Sequence, residues 1–488
     1  MRKLVLLLVA AVTLSWVPVP AEAKLEMRNP CADGMVLQQK SDASIFGISD
    51  PGATVEVIPS WDGAVYRCVA DKDGLWEVKV ATPAAGYTPY WIQVSNGSET
   101  LMISDVLIGE VWLASGQSNM EMPVGGFDNC PVEGYLETVM AAPAHDKIRM
   151  FCMPKLQSYT PEIQAPGEWL KADPNTIARM SAAGYYFARK LNEVLDVPVG
   201  IVACAYGGAR VESWLPEEVL RAYGTEDLTR ERMEKMIHYH RPFLMYNAMM
   251  HPVMGYTIKG FIWYQGCSNV GFEQQFVARM SDMVRIFREG FGDTEGVLPF
   301  YQVEIAPYVY DSRRSDDESQ AALLREAQHA CDAMIPNLAT VVTNDLVYPY
   351  EKNNIHPSQK RQVGERLAAL ALNRDYGFSG VKCYSPSAVE VFREKGRTGE
   401  ICVRLADAEK SLNRTSGIET LEVRAADGPW VPVSSVRFSG DVMRISCPEV
   451  PEPAEVRYGW GDFRPGNLAG RYGLPLVPFW MKLEKQNN

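Results

Sequence analysis

The chain has 488 residues, 48 of them basic and 60 acidic, for a formal net charge of −12. That acidic surplus argues against nucleic acid or an anionic membrane as partner. Apolar residues at 47% and charged residues at 22% are ordinary for globular protein, and the length predicts two or three domains rather than one.

Residues 1–23 read as an export signal. Met1-Arg-Lys3 is basic, Leu4 to Val17 is almost wholly apolar, and Ala21-Glu-Ala23 is a small-x-small cleavage site. No later run suggests a membrane span, and the first cysteine, Cys31, lies well past the cleavage site. The expectation is an exported protein, periplasmic or secreted. Cysteines can pair in such a compartment. Here there is no CxxC, and most sit singly in apolar runs such as Val202-Ala-Cys-Ala205, which predicts mainly buried free thiols. Cys31–Cys68 and Cys402–Cys447 are the pairs to check. Cys and His never cluster at ligand spacing, so zinc is not expected.

Residues 24–104 read as a β-sandwich domain. Short runs such as Ala53 to Ile58, Leu75 to Val80 and Tyr90 to Val94 alternate with Asp50-Pro-Gly52, Asp62-Gly63, Asp73-Gly74 and Asn96-Gly97 turns. From 105 to 373 strands alternate with helices. Strands are predicted at Val197 to Ala205, Gly260 to Gln265, Phe300 to Ile305 and Leu338 to Thr343. Helices are predicted at Ile177 to Leu191, Gln275 to Phe287, Ala321 to Ala330 and Gln359 to Leu372. This pattern implies a mostly parallel sheet covered on both faces. The charged run Asp311 to Glu318 reads as a solvated loop, with a mobile lid as the alternative. Residues 374–488 return to β, and the apolar Pro/Gly tail Asn467 to Trp480 should pack back on a domain.

The catalytic candidates lie at strand ends in the middle region. Val106 to Leu113 reads as a buried strand that delivers Ser118 to a tight turn, where open α/β sheets place chemistry. Ser118 could instead cap the next helix. Tyr206-Gly-Gly-Ala-Arg210 follows the strand ending at Ala205, Gln265 to Asn269 follows the next, and Asn353-Asn-Ile-His-Pro357 precedes the last helix. Together they suggest an acyl ester hydrolase. Ser118 attacks, His356 moves the proton, and the N–H groups of Ser118 and Gly208 with the Asn269 amide hold the oxyanion. His145, His238, His240, His251 and His329 read as structural or surface residues.

Four blocks then resemble a known family: Gly116-Gln-Ser-Asn-Met120, Gly207-Gly-x-x-x-Glu-x-Trp214, Trp263-Tyr-Gln-Gly-x-Ser-Asn269, and Ile355-His-Pro357 followed by Lys360 and Gly364-Glu-Arg-Leu-Ala368. They are similar to the sialate O-acetylesterases of the SGNH hydrolase superfamily. Gly34-Met-Val-Leu-Gln38 and Val456-Arg-Tyr-Gly-Trp460 extend the resemblance over nearly the whole chain. It implies a flavodoxin-like three-layer α/β/α domain flanked by β-rich regions, and removal of acetyl groups from sugars without metal or cofactor. Ser118, Gly208, Asn269 and His356 match the nucleophile, oxyanion donors and base. The implied substrate is an acetylated sialic acid. Acetylated xylan-type glycans, or glycan binding without turnover, are the alternatives. There are two departures from the family pattern. Asn353 stands where the family usually has Asp three residues before the His, leaving Asp345 or Glu351 as other candidates for the acid. Cys267 stands where the family has Glu. Gln117, Arg210 and Gln265 are candidate substrate contacts, with Arg210 also readable as a surface residue or a partner for Glu212. Trp214, Trp263 and Tyr264 could line a sugar pocket or belong to the core. The sequence does not fix the oligomeric state.

Overall fold

The computed structural model describes residues 24–145 and 147–484, so the expected export signal lies outside the described residues. The central sheet contains β1 (Thr100–Gly116), β2 (Ile148–Cys152), β3 (Glu168–Lys171), β4 (Val199–Ala205), β5 (Gly260–Tyr264), β6 (Phe300–Val303) and β7 (Leu338–Val341). Its order is β3-β2-β4-β1-β5-β6-β7, parallel throughout except for β3 at one edge. Five helices matter for the site: α1 (Ser118–Glu121), α2 (Ala182–Leu195), α3 (Glu273–Gly290), α4 (Gln320–Met334) and α5 (Lys360–Arg374).

Side chains on a strand alternate between the two faces of a sheet, and the core divides accordingly. Trp112 and Ala114 of β1 pack with the α2 residues Tyr186 and Phe187 and the α5 residues Val363 and Leu367. Val111 and Leu113 join the opposite core, with Phe276, Met280 and Phe287 of α3 and Leu324 of α4. The result is the expected α/β/α stack. Helix α2 begins later than its apolar pattern predicts, because Ser181 caps it by accepting the Gly184 N–H at 3.1 Å. The preceding Ile177–Arg179 is a separate 3₁₀ turn.

The N-terminal strands form a three-stranded sheet and a second group that pairs with β1 itself. The expected boundary at residue 104 therefore falls inside one strand. β1 alternates in burial while it belongs to the N-terminal region and is buried at every position from Val106 onward. The C-terminal region forms two four-stranded antiparallel sheets around their own core. The tail packs back as expected, with Asn344 Nδ2 donating to the Leu476 carbonyl at 3.1 Å.

The run Asp311 to Glu318 is mostly exposed, as expected of a solvated loop, yet part of it is held by the C-terminal region. Asp317 accepts from Arg424 at 3.0 Å and from the Trp430 indole at 2.8 Å, and Asp316 from Arg464 Nε at 2.7 Å. The acidic residues clasp the C-terminal region because that region supplies the complementary arginines, which lie more than a hundred positions away in sequence. All ten cysteines are free thiols, so neither candidate disulfide pair is joined. Among the described residues no helix is long and apolar enough to cross a membrane.

Candidate active site

Three parallel strands end level with one another. Ala205 at the end of β4 and Tyr264 at the end of β5 both pair with Gly116 at the end of β1. Each strand therefore releases its next residues over the same edge of the sheet: Ser118 from β1, Gly207-Gly208 from β4, and Gln265 to Asn269 from β5. The strand order reverses at β1, the place where open α/β sheets leave a crevice for ligands.

Gly116 makes the turn. Its φ is +134°, and a Cβ there would stand 2.4 Å from the Tyr264 carbonyl oxygen, so only glycine fits. Gln117 is buried, and its Oε1 accepts the Gly266 N–H at 2.9 Å. It stitches the β1 turn to the β5 turn. Ser118 follows, half-buried, at the start of α1. The β4 loop is held beside it by Glu121, whose Oε2 accepts the Gly207 N–H at 2.5 Å while Oε1 pairs with Lys155 at 2.9 Å. A Cβ on Gly207 would lie 3.4 Å from the Ser118 Cβ, so this loop runs against the serine. At Gly208 φ is +78°, and a Cβ would fall 2.4 Å from the Tyr239 ring. The Gly208 N–H makes no hydrogen bond among the described residues.

Asn269 is buried and fully oriented. Its Oδ1 accepts the Val211 N–H at 3.0 Å and Gln265 Nε2 at 2.6 Å, and its Nδ2 donates to Glu212 Oε2 at 3.0 Å. Two donors on Oδ1 leave the amide no freedom to flip. Glu212 is in turn paired with buried Arg279, which also meets Glu226. Gln265 is wholly buried and bonds the Ala209 carbonyl at 3.2 Å as well as Asn269. Like Gln117, it braces the site from within.

His356 arrives from the loop between β7 and α5. Buried Glu351 folds that loop by accepting the Tyr348 and Ser358 N–H groups, each at 2.9 Å. Asn119, next to Ser118, donates to the Ile355 carbonyl at 3.0 Å and accepts from Lys360 Nζ at 2.8 Å. The neighbour of the serine thus holds the neighbour of the histidine. His356 Nε2 is buried and has no partner among the described residues. Its Nδ1 lies 3.8 Å from Cys130 Sγ, and the Phe127 ring meets the imidazole edge-on with centroids 5.1 Å apart. Burial, then the charge of Lys360, press the imidazole pKa down to about 4. Burial brings Lys360 itself down to about 7.

Among the described residues no carboxylate bonds to His356. Asn353 is exposed and makes no hydrogen bond to the ring; its neighbour Asn354 turns inward, its Oδ1 accepting the His356 N–H at 2.9 Å. Both Asp345 oxygens are occupied by Arg366, at 2.8 and 2.6 Å, and Glu351 is occupied by the two backbone groups above. Cys267 is a half-buried thiol whose pKa desolvation raises, with Tyr310, Lys360 and Asn119 around it. Arg210 makes no ion pair among the described residues. Its guanidinium lies 4.4 Å from the centre of the Phe272 ring and its Nε is buried without a partner.

Trp214 and Trp263 are core residues packed edge-on with centroids 6.0 Å apart, and Tyr264 is buried too, so none of the three lines a pocket. His329 pairs with Glu304 at 2.9 Å, His251 meets the Glu162 carbonyl at 2.7 Å, and His145 lies 3.9 Å from Glu193. The His238–His240 turn, in contrast, walls the Gly208 loop through Tyr239. Sequence reasoning missed Cys130, Asn354, Glu121 and Tyr239, because each enters the site through a contact that no local pattern encodes. No cluster of three or more His, Cys, Asp or Glu among the described residues is arranged to hold a metal ion.

The family model for carbohydrate esterases, sialic acid-specific acetylesterases, matches residues 108–373. A crystal structure of a carbohydrate acetylesterase from Xanthomonas citri superposes with a TM-score of 0.81 at 31% identity, covering 95% of this chain and 100% of that one. The sialate O-acetylesterase of Homo sapiens is 26% identical over 457 residues, covering 87% of this chain and 86% of its own. The enzyme of the same name from Mus musculus is 27% identical over 493 residues, covering 87% of each. The chain belongs to this family of carbohydrate esterases and is a carboxylic-ester hydrolase that acts on acetylated sugars.

Proposed function

We propose that the chain is a sialate O-acetylesterase working through Ser118 and His356. The observation that carries this reading is the bridge from Asn119 to Ile355 at 3.0 Å, which ties the serine turn to a histidine whose Nε2 is buried and, among the described residues, unpartnered. Ser118 Oγ attacks the acetyl carbonyl and passes its proton to Nε2. The carbonyl electrons move to oxygen, where the N–H groups of Ser118 and Gly208 and one Nδ2 hydrogen of Asn269 receive them. Collapse expels the sugar oxygen, which takes the proton from His356 and leaves acetyl-Ser118. Water then repeats the sequence, losing its proton to Nε2, and acetate departs. Asp345, Asn353 and Glu351 take no part.

Arg210 supports an acidic sugar as substrate. Among the described residues it is a cation without an ion-pair partner, two residues from Gly208, in a chain of net charge −12, and a guanidinium forks well onto a carboxylate. We also infer export through residues 1–23, and three regions at 24–104, 105–373 and 374–488, the first two joined through β1. Two assays test the reading. Hydrolysis of 4-nitrophenyl acetate by wild type and Ser118→Ala tests the nucleophile, and equal rates would refute it. Acetate release from O-acetylated sialic acids against acetylated xylan tests the substrate, with faster release from xylan reassigning it.

A further inference from the structure

The residues around His356 Nδ1 determine where its proton sits. Cys130 Sγ lies 3.2 Å from Asn354 Oδ1 and 3.8 Å from His356 Nδ1. A thiol carries a single hydrogen. The amide oxygen is the nearer of the two and can only accept, whereas Nδ1 can donate, so S–H points at Asn354 and the sulfur offers only lone pairs to the ring. An acceptor at Nδ1 keeps the proton on Nδ1 and leaves Nε2 free as a base. The thiol is held in place by its own hairpin, in which Phe127 and Cys130 exchange backbone hydrogen bonds at 3.0 and 2.9 Å. The same hairpin sets Phe127 edge-on against the imidazole. One short loop therefore grips the ring by its face and by its Nδ1 edge.

We propose that Cys130 is the positioning residue of His356, its sulfur standing at Nδ1 where a serine hydrolase usually places a carboxylate. The inference rests on His356 being the base. Burial pushes the Cys130 thiol up, so it stays protonated and neutral. A neutral acceptor orients the imidazole without stabilising the imidazolium. The other ionisable groups near this point are Lys360, whose charge also opposes the imidazolium, and Glu351 and Cys267, which face Lys360. The enzyme thus keeps the tautomer of a catalytic triad while lacking its charge.

The test compares Cys130→Ala, Cys130→Ser and Cys130→Asp by 4-nitrophenyl acetate hydrolysis across pH, with Ser118→Ala and His356→Ala as controls. Cys130→Ala should lower kcat by roughly 10–10²-fold at little change in KM, as expected when a general base loses its orientation. Cys130→Ser, which can still accept from Nδ1–H and donate to Asn354, should recover most of that loss. Cys130→Asp should move the acid limb of kcat/KM upward by roughly 1–3 pH units, since a neighbouring carboxylate favours imidazolium. That shift reports that position 130 faces Nδ1, whereas a packing role alone would leave the ring tautomer unchanged in Cys130→Ala. Should the Asp variant fail to fold, ¹⁵N chemical shifts of the His356 ring give a second readout, Nδ1–H in wild type and a mixture in Cys130→Ala. Wild-type kcat and limb in all three variants, or an Nε2–H tautomer in wild type, would overturn the proposal. Activity surviving in Ser118→Ala or His356→Ala would instead overturn the functional reading beneath it.

Discussion

Asn269→Ala separates the two roles that the structure gives this amide. Removing Nδ2 takes away one oxyanion donor, a change typically worth ~10²–10³ in turnover, or ~2.7–4 kcal/mol of transition-state stabilisation. Removing Oδ1 has a different consequence, because it leaves the buried Val211 N–H without its partner at 3.0 Å. An orphaned buried donor costs about 1–3 kcal/mol. Gln265 Nε2 keeps the Ala209 carbonyl and Glu212 keeps Arg279, so neither adds a full second penalty. The variant should therefore fold with a modest loss of stability and lose kcat far out of proportion to it. The assay is kcat and KM with 4-nitrophenyl acetate beside urea unfolding of the same preparations. A fall in kcat with KM nearly unchanged is the signature of an interaction made only in the transition state. Turnover within threefold of wild type in a folded variant would refute the assignment of Asn269 as donor.

Other outcomes follow from the same geometry. Because burial and Lys360 press His356 down to about 4, the imidazole stays an unprotonated base well below its ordinary range, and kcat/KM should hold on the acid side until pH approaches that value. Lys360→Met removes the opposing charge, so the acid limb should move up, as a pH–rate profile would read. The folded Lys360 releases its proton near 7 and the unfolded one near 10.5. The unfolded state thus binds more protons in between, and stability should rise with pH across that window in wild type more than in Lys360→Met, measured by denaturant titration at pH 7 and 9. Gly208→Ala forces a side chain onto a φ of +78° and into the Tyr239 ring, so activity should fall at least as far as in Asn269→Ala. Adding Tyr239→Ala should recover part of the loss but not all, since the backbone strain of roughly 1–2 kcal/mol stays. Asp345→Asn weakens a bidentate contact with Arg366 and should lower thermal stability slightly while kcat stays within threefold. A loss of a hundredfold or more would make Asp345 the acid after all.

The chain sequence carried the fold class and the site blocks because both rest on local patterns. Period-two and helical apolar spacing located β4 to β7 and helices α2 to α5 within a few residues. Glycine and small polar residues directly after apolar strands marked Ser118, Gly208 and Asn269. Strands β2 and β3 passed unread, since short buried or edge strands have little periodicity of their own. Gln117 and Gln265 looked like ligand contacts from their place in the blocks, yet packing turned both inward as braces. Trp214 and Trp263 went the same way, into the core. What surrounds His356 was settled only by tertiary structure. Asn353 and Asn354 are indistinguishable in a sequence, and the loop folded by Glu351 decides that the second faces inward. Cys130 carries no signal at all, because a thiol meets an imidazole 226 positions away only once the hairpin and the His loop are brought together. Local chemistry is written along the chain, whereas the partner at Nδ1 is a property of two loops meeting in space.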